Sequence, residues 1–406
     1  MNILVYATTF GADLLSTVRY LENRKDVNLK VLLNDPEGFK KEPIFQFRPL
    51  KSELITKTAL NSWTGIPGFQ PDVTLMDNRV PHLRTSPKAL MLWHGFGWKG
   101  PNDLNEFKWL HLDIMKSWGD VIHPNPDFKW GCYGPYDFEH RSTVSGIHPD
   151  NCVQLGAASH DELRTPVDKK ELQPFYPFDV VNRQTLMIAP TWHYGEVFSH
   201  WGSDEKLFKR ILDHAESLNV NVILRFHDSY RFEELYVNKL NNLADSYSNV
   251  ILKFKDHHPD NFLDLQVSDL LMTNFSSIAN LFYATGKPTI HIYPVNHEDE
   301  EFMLRSFSMN AIKKKKIDSV KYIWKFPPED NGGLLAYSFD ELMDQFEYAV
   351  GNPGCCSETA ASFLNKHMLG ADGRNRERIF QTLCDMADEI TGSTTFRGKV
   401  FPVPYL

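Results

Sequence analysis

Residues 269–293, DLLMTNFSSIANLFYATGKPTIHIY, read as one complete strand, helix and strand with a polar seam between them. The apolar run 270–272 has the length of a buried parallel strand. Thr273, Asn274, Ser276 and Ser277 then offer hydroxyl and amide groups before Ile278, Leu281 and Phe282 take up helical spacing, as a helix start requires. Gly286 supplies a left-handed cap, Lys287-Pro288 stops the helix, and residues 289–293 form the next strand. Such a helix start carries unpaired N–H groups, two hydroxyls and a positive dipole end at the carboxyl edge of a sheet, where phosphate binds well. The plainer reading is that the serines only cap the helix.

Working toward the amino terminus, the same pattern recurs. Residues 185–189 (TLMIA) are a strand that runs into Pro190-Thr191-Trp192-His193, and residues 220–225 (VNVILR) are a strand that ends in Arg225-Phe226-His227. With an amphipathic helix over 207–218, a strand over 250–254 and a short helix over 259–265, this alternation predicts a doubly wound parallel sheet. Thr191 to His193, Arg225 to His227 and Asn274 to Ser277 then leave neighbouring strands in one direction and converge on one sheet edge, the expected place for a ligand.

The first part of the chain repeats the architecture. Residues 2–6 (NILVY) open a strand, turn and helix unit, followed by strands over 27–33, 72–76 and 89–93 and, further on, 153–155. No G-x-G-x-x-G is present, so a dinucleotide cofactor is not implied. Strand 89–93 runs straight into His94-Gly95-Phe96-Gly97-Trp98, where a histidine reads either as structural or as facing a ligand approached by glycine backbone. Gly156 to Asp161 form the exit loop of strand 153–155. Residues 164–183, rich in Pro and charge and without period, predict the linker between two domains. The expected division is therefore a domain over 1–170, a second over 171–392 that includes the helical segments 339–348, 356–368 and the last helix through 390, and a tail over 393–406.

A chain of 406 residues with 42% hydrophobic residues can bury two cores, and a net charge of −9 argues against a nucleic-acid coat. The tetralysine 313–316 reads as a solvated loop or as a contact with an anionic membrane surface. Five cysteines without metal-ligand spacing fit reduced thiols of a cytoplasmic protein, and no apolar run approaches the ~20 residues that span a bilayer. No carboxylate pair or His/Cys cluster implies a metal.

Taken together, Trp93-His94-Gly95, Ala189-Pro190-Thr191-Trp192, Arg225-Phe226-His227, Thr273 to Ile278 and Gly286-Lys287-Pro288 resemble, in order and approximate spacing, the blocks of the CDP-glycerol glycerophosphotransferase family of teichoic-acid and capsule polymerases. The resemblance implies a GT-B fold, two Rossmann-like domains facing a central cleft, and transfer of glycerophosphate or a related alditol phosphate from a CDP-activated donor to a hydroxyl of a glycan or lipid-linked acceptor. It implies His94 as general base and His227 on the diphosphate side, with Gly95, Thr191, Trp192, His193, Arg225, Asn274, Ser276 and Ser277 holding the donor. It also implies work at the inner face of the cell membrane, without a cofactor. His193 stands where the family has arginine, Asn274 where it has aspartate, Asp228 where it has proline, and residues 156–161 lack the family's arginine. A GT-B glycosyltransferase or epimerase acting on a nucleotide sugar, and a binding module without turnover, are the rival readings.

Overall fold

The computed structural model describes residues 1–8, 10–93, 95, 98–101, 108–191, 197–226, 234–255, 258, 261–294, 303–308, 311–316, 322–324, 326–370 and 372–391. The expected tail over 393–406 lies outside them. Contacts divide the chain into two compact units, the first of residues 1–96, 102–162 and 365–406, the second of residues 97–101 and 163–364.

The first unit is built on a seven-stranded, wholly parallel sheet. Its strands are β1 (Asn2–Tyr6), β2 (Asn28–Leu33), β3 (Glu53–Thr56), β4 (Val73–Met76) and β5 (Lys88–Leu92); after β6 (Lys99–Pro101), which belongs to the second unit, come β7 (Phe128–Cys132) and β8 (Cys152–Gln154). The order β3-β2-β1-β4-β5-β7-β8 puts the reversal of strand order between β1 and β4. Ile3, Leu4, Val5, Leu75, Leu90 and Met91 are fully buried, because helices cover both faces of a parallel sheet and its strands must read as continuous apolar runs. The alternation-free signal missed β3, an edge strand of half-buried and exposed residues, and β7, whose FKWGC sits in an aromatic run.

The second unit holds a six-stranded parallel sheet of β9 (Thr185–Ile188), β10 (Asn221–Phe226), β11 (Val250–Phe254), β12 (Leu270–Thr273) and β13 (Thr289–Ile292), to which β17 (Leu334–Ala336) is added. Between them β14 (Met303–Ser308) and β15 (Ala311–Lys316) form an antiparallel hairpin, and β16 (Tyr322–Trp324) pairs with β6. The order β11-β10-β9-β12-β13-β17 reverses between β9 and β12. The amphipathic helix Asp204–Ser217 packs Phe208, Ile211 and Leu212 against this sheet, within a core shared with Phe226, Leu342 and Phe346. Burying each such side chain contributes about 1.5–3 kcal/mol.

Three expectations are corrected. Lys313–Lys316 are not a loop: they lie in β15, in register with residues 303–306 of β14. Helix Asn375–Thr391, expected in the second domain, belongs to the first unit, where it packs on helix Ala12–Leu21, β4 and β5. Its docking is specific. The Asp161 carboxylate accepts from Asn375 Nδ2 and Arg376 N, both at 2.8 Å, and Lys88 Nζ reaches Glu389 at 2.7 Å. Gly156, at φ +75°, faces Asn375 so closely that a Cβ would stand 1.9 Å from Asn375 Oδ1. Of the expected exit loop 156–161, residues 158–161 are instead the start of the helix Ala158–Leu163, and Gly156 and Asp161 seat the last helix.

Candidate functional site

Ligands of open α/β sheets bind outside the carboxyl ends of the strands where the strand order reverses. In the second unit that place lies between the exits of β9 and β12. There Asn274, only 4% exposed, accepts a 2.5 Å hydrogen bond on its Oδ1 from the backbone N–H of Thr191. Thr273 Oγ1 donates to the Ala189 carbonyl at 2.8 Å and accepts from Ser276 N at 3.3 Å. The two exits are therefore stitched together by Thr273 and Asn274, which fixes Thr191 beside Ser276 and Ser277. A carboxylate at 274 would accept the same Thr191 N–H, so an amide there keeps the stitch and lowers the negative charge next to the serines.

The helix after this turn is short, Ile278–Phe282, continued by a 3₁₀ turn to Thr285 and closed by Gly286 at φ +67°. Ser277 is its N-cap residue but makes no side-chain capping bond. The reading of the serines as simple caps does not hold for Ser277, and Thr273 supplies the turn's side-chain acceptor instead. Phe275 takes φ +63°, a left-handed conformation that costs an L-residue about 1–3 kcal/mol and persists only where the surroundings impose it. The surroundings are aromatic. The Phe275 ring stacks on His291 with centroids 4.6 Å apart, and Trp98, fully buried, packs against Phe275, His291, Phe326 and Phe363. Tyr283 Oη meets His291 Nε2 at 2.5 Å. Sequence reasoning missed this support. Its signal was a histidine and a tyrosine in otherwise apolar, buried positions.

Arg225, next to last in β10, lies in a buried ion cluster. Its Nη1 donates to Asp264 Oδ2 at 2.8 Å and its Nη2 to the His258 carbonyl at 2.7 Å. Lys253, its register partner on β11, donates to Asp264 Oδ1 at 2.6 Å, and Tyr176 Oη donates to the same oxygen at 2.7 Å. Burial alone would push the Asp264 carboxyl up; Lys253 and Arg225 outweigh it and hold the carboxyl below its ordinary 3.8. Burial first, and then those two cations, lower His258. The structure thus places Arg225 as the anchor of the strand from which position 227 follows. A lysine inside the apolar run VILKF was the available sequence signal for its partner.

In the first unit, the carbonyl of Trp93, the peptide oxygen that precedes position 94, accepts from Tyr133 Oη at 2.8 Å. That hydroxyl also lies 2.8 Å from Asp13 Oδ2, while Asp13 Oδ1 accepts from Ser159 N and Oγ at 2.9 and 2.6 Å. Burial, then Asp13, push the Tyr133 phenol well above its ordinary 10.0, so it stays a donor. Gly95 is half-buried.

The structure brings together Thr191, Asn274, Ser276 and Ser277, and places Arg225 at the neighbouring strand end. His94, Trp192, His193 and His227 lie outside the described residues, as do Phe96, Gly97 and Asp228. Among the described residues no group of three or more His, Cys, Asp or Glu side chains could hold a metal ion, and no helix is long and apolar enough to cross a membrane.

Parallel sheets in two units, with polar strand exits at the reversal of strand order, define a GT-B-like α/β protein. The chain belongs to the family described as CDP-Glycerol:Poly(glycerophosphate) glycerophosphotransferase, whose model matches residues 142–385, more than half its length. It is 26% identical over 310 residues to the teichoic acid ribitol-phosphate polymerases TarK and TarL of Staphylococcus aureus; each match covers 74% of this chain, 53% of TarK and 48% of TarL. The chain spans about half the length of these curated relatives. Among solved structures it is similar to the wall teichoic acid polymerase TagF, with a TM-score of 0.64, 12% identity, and 97% of this chain and 90% of that chain covered. It is also similar to a UDP-GlcNAc 2-epimerase from Neisseria meningitidis, with a TM-score of 0.55, 14% identity, and 95% and 100% covered. At these identities the structural likeness shows the fold.

Proposed function

We propose that this chain transfers an alditol phosphate, glycerol phosphate or ribitol phosphate, from a CDP-activated donor to a hydroxyl of a cell-envelope polymer or lipid-linked acceptor. The observation that carries the reading is the stitched pair of strand exits in the second unit. Thr191, Asn274, Ser276 and Ser277 are held together there by the Thr191–Asn274 bond, at the edge where a nucleotide diphosphate fits this fold. Family membership supports a phosphotransferase, the names of TarK and TarL support ribitol phosphate, and that of TagF supports a wall teichoic acid product.

Phosphoryl transfer needs little covalent help; it needs positioning, donors for the charge on the diphosphate, and a base for the incoming hydroxyl. In this reading His94 takes the acceptor proton and His227 serves the diphosphate side. Ser276, Ser277 and Asn274 bind phosphate oxygens through hydroxyl, amide and backbone N–H donors. Thr191, Trp192 and His193 line the nucleotide, and Gly95 lets backbone approach it. Arg225 acts through the strand it anchors. No cofactor or metal enters the reaction as proposed. The chain works at the inner face of the cell membrane, touching anionic lipid through the Lys313–Lys316 strand, with no role for nucleic acid.

A thermal-shift panel of CDP-glycerol, CDP-ribitol, CMP, UDP-sugars and GDP-sugars, followed by product analysis with the stabilising donor, tests the proposal. Stabilisation by CDP-alditols and CMP with transfer to a polyol-phosphate acceptor is expected. Stabilisation by UDP- or GDP-sugars alone would replace it with the nucleotide-sugar reading, and binding without turnover would reduce the chain to a binding module.

A further inference from the structure

The turn that carries the two serines is built around one left-handed residue. Of residues 270–280 only Ser276 and Ser277 are not buried; the step at Phe275, φ +63°, keeps its own ring inside and brings the next two residues to the surface. A stitch between strand exits does not by itself require such a step. In the first unit, where strand order reverses between β1 and β4, the backbone N–H of Thr8 donates to both Asp77 carboxylate oxygens at 3.0 and 3.1 Å, and Asn78, the residue after Asp77, is not left-handed.

What holds Phe275 in place is His291. It is the register partner of Thr273 on β13, is fully buried, and stacks on the Phe275 ring with centroids 4.6 Å apart and planes at 28°. Its Nε2 meets the Tyr283 hydroxyl at 2.5 Å, and Tyr283 opens the 3₁₀ turn that follows the helix Ile278–Phe282. One imidazole thus ties a residue before this helix to the residue after it. Five helical residues do not hold themselves, because nucleation costs more than so few hydrogen bonds return, and the bracket supplies what the length cannot. Tyr283 is fixed in turn: it is 1% exposed, and a Cβ on Gly332 would stand 3.0 Å from its ring. Burial pushes its phenol well above the ordinary 10.0, so it stays protonated.

We infer that His291, bonded to Tyr283, is a positioning residue of the serine turn: the bracket sets where the hydroxyls and N–H groups of Ser276 and Ser277 stand for the donor's phosphates. Neither His291 nor Tyr283 has to reach the donor. Hydrogen bonds weaken steeply with distance and angle, so a turn free to leave the left-handed step loses the geometry that binding an anion requires. That the turn is pinned by His291 stands on the contacts above; that the pinned turn holds a CDP-activated donor rests on the proposed function.

Two measurements on the whole chain test the inference. Tyr283→Phe removes the hydroxyl alone, and His291→Phe keeps a ring against Phe275 while removing the same hydrogen bond. Without ligand, hydrogen exchange across residues 275–280 should quicken about three- to tenfold in either variant, the worth of one neutral hydrogen bond, and no further in the double variant, since both changes remove one bond. Calorimetric titration with CDP-glycerol and with CMP should show the dissociation constant raised by about the same factor. A role confined to stability would instead lower Tm and leave the dissociation constant of the folded protein at its wild-type value. Unchanged exchange in both single variants would overturn the pin, and quicker exchange with unchanged donor affinity would overturn its positioning role. Quicker exchange in a chain whose wild type binds none of CDP-glycerol, CDP-ribitol and CMP would sustain the pin and overturn the donor reading, so the two failures are told apart.

Discussion

At the scale of single residues, the second unit contrasts two kinds of polar group. Asp264 is spent on structure: it balances Arg225 and Lys253 in the interior and takes a hydrogen bond from Tyr176. Asp264→Asn leaves two buried cations with no anion, and should cost about 3–5 kcal/mol in chemical denaturation. The pH dependence follows from the sign of the shift. The folded carboxyl lies below 3.8, so its contribution is complete above that value and is lost as pH falls through the lower folded value. Wild type should therefore lose stability more steeply than Asp264→Asn below about pH 4; parallel curves would show that the carboxylate is not what the cluster depends on. Ser276 and Ser277 are the other kind. Ser277 makes no capping bond to lose, so Ser276→Ala with Ser277→Ala should barely move Tm. Calorimetric titration should instead show the donor dissociation constant rising by about 1–2 kcal/mol per charge-assisted bond removed.

At the scale of elements, the strands buried on both faces were legible because their sequences are unbroken apolar runs: 2–6, 185–188, 270–273 and 289–292 all stand as strands. The polar residues at their exits were legible for the same reason, since a strand end is visible wherever apolar runs give way to Thr, Asn and Ser. What local pattern could not show is which distant element a helix docks on. Helix Asn375–Thr391 is amphipathic in sequence, yet its partners are Asp161 and β4 and β5, more than 200 residues earlier. Nor could it show that Arg225 meets Asp264, or that Phe275 is held left-handed by an aromatic cluster. Gly156→Ala tests the docking: φ +75° and a Cβ within 1.9 Å of Asn375 Oδ1 should cost about 1–3 kcal/mol and raise hydrogen exchange across residues 375–391. The hairpin β14–β15 carries a separate expectation. Changing Lys313, Lys314, Lys315 and Lys316 to serine should abolish a weak, salt-sensitive co-sedimentation with anionic vesicles, each lysine contributing about 1 kcal/mol. Equal binding to neutral vesicles would remove the membrane from the proposal.

At the scale of the whole molecule, each unit presents one stitched strand-order reversal, and the proposed donor site is that of the second. In the proposed reaction His94 acts on the acceptor proton while the donor is held elsewhere. A general base acts in the transition state, so its removal should spare ground-state donor binding. The most direct test is the single-turnover rate of alditol-phosphate transfer from CDP-glycerol or CDP-ribitol in wild type and His94→Ala, with donor affinity measured on the same samples. A rate about 10²- to 10⁴-fold lower in His94→Ala, with donor affinity within a few-fold of wild type, is expected. Full activity in His94→Ala, or a loss that is wholly one of donor binding, would contradict it.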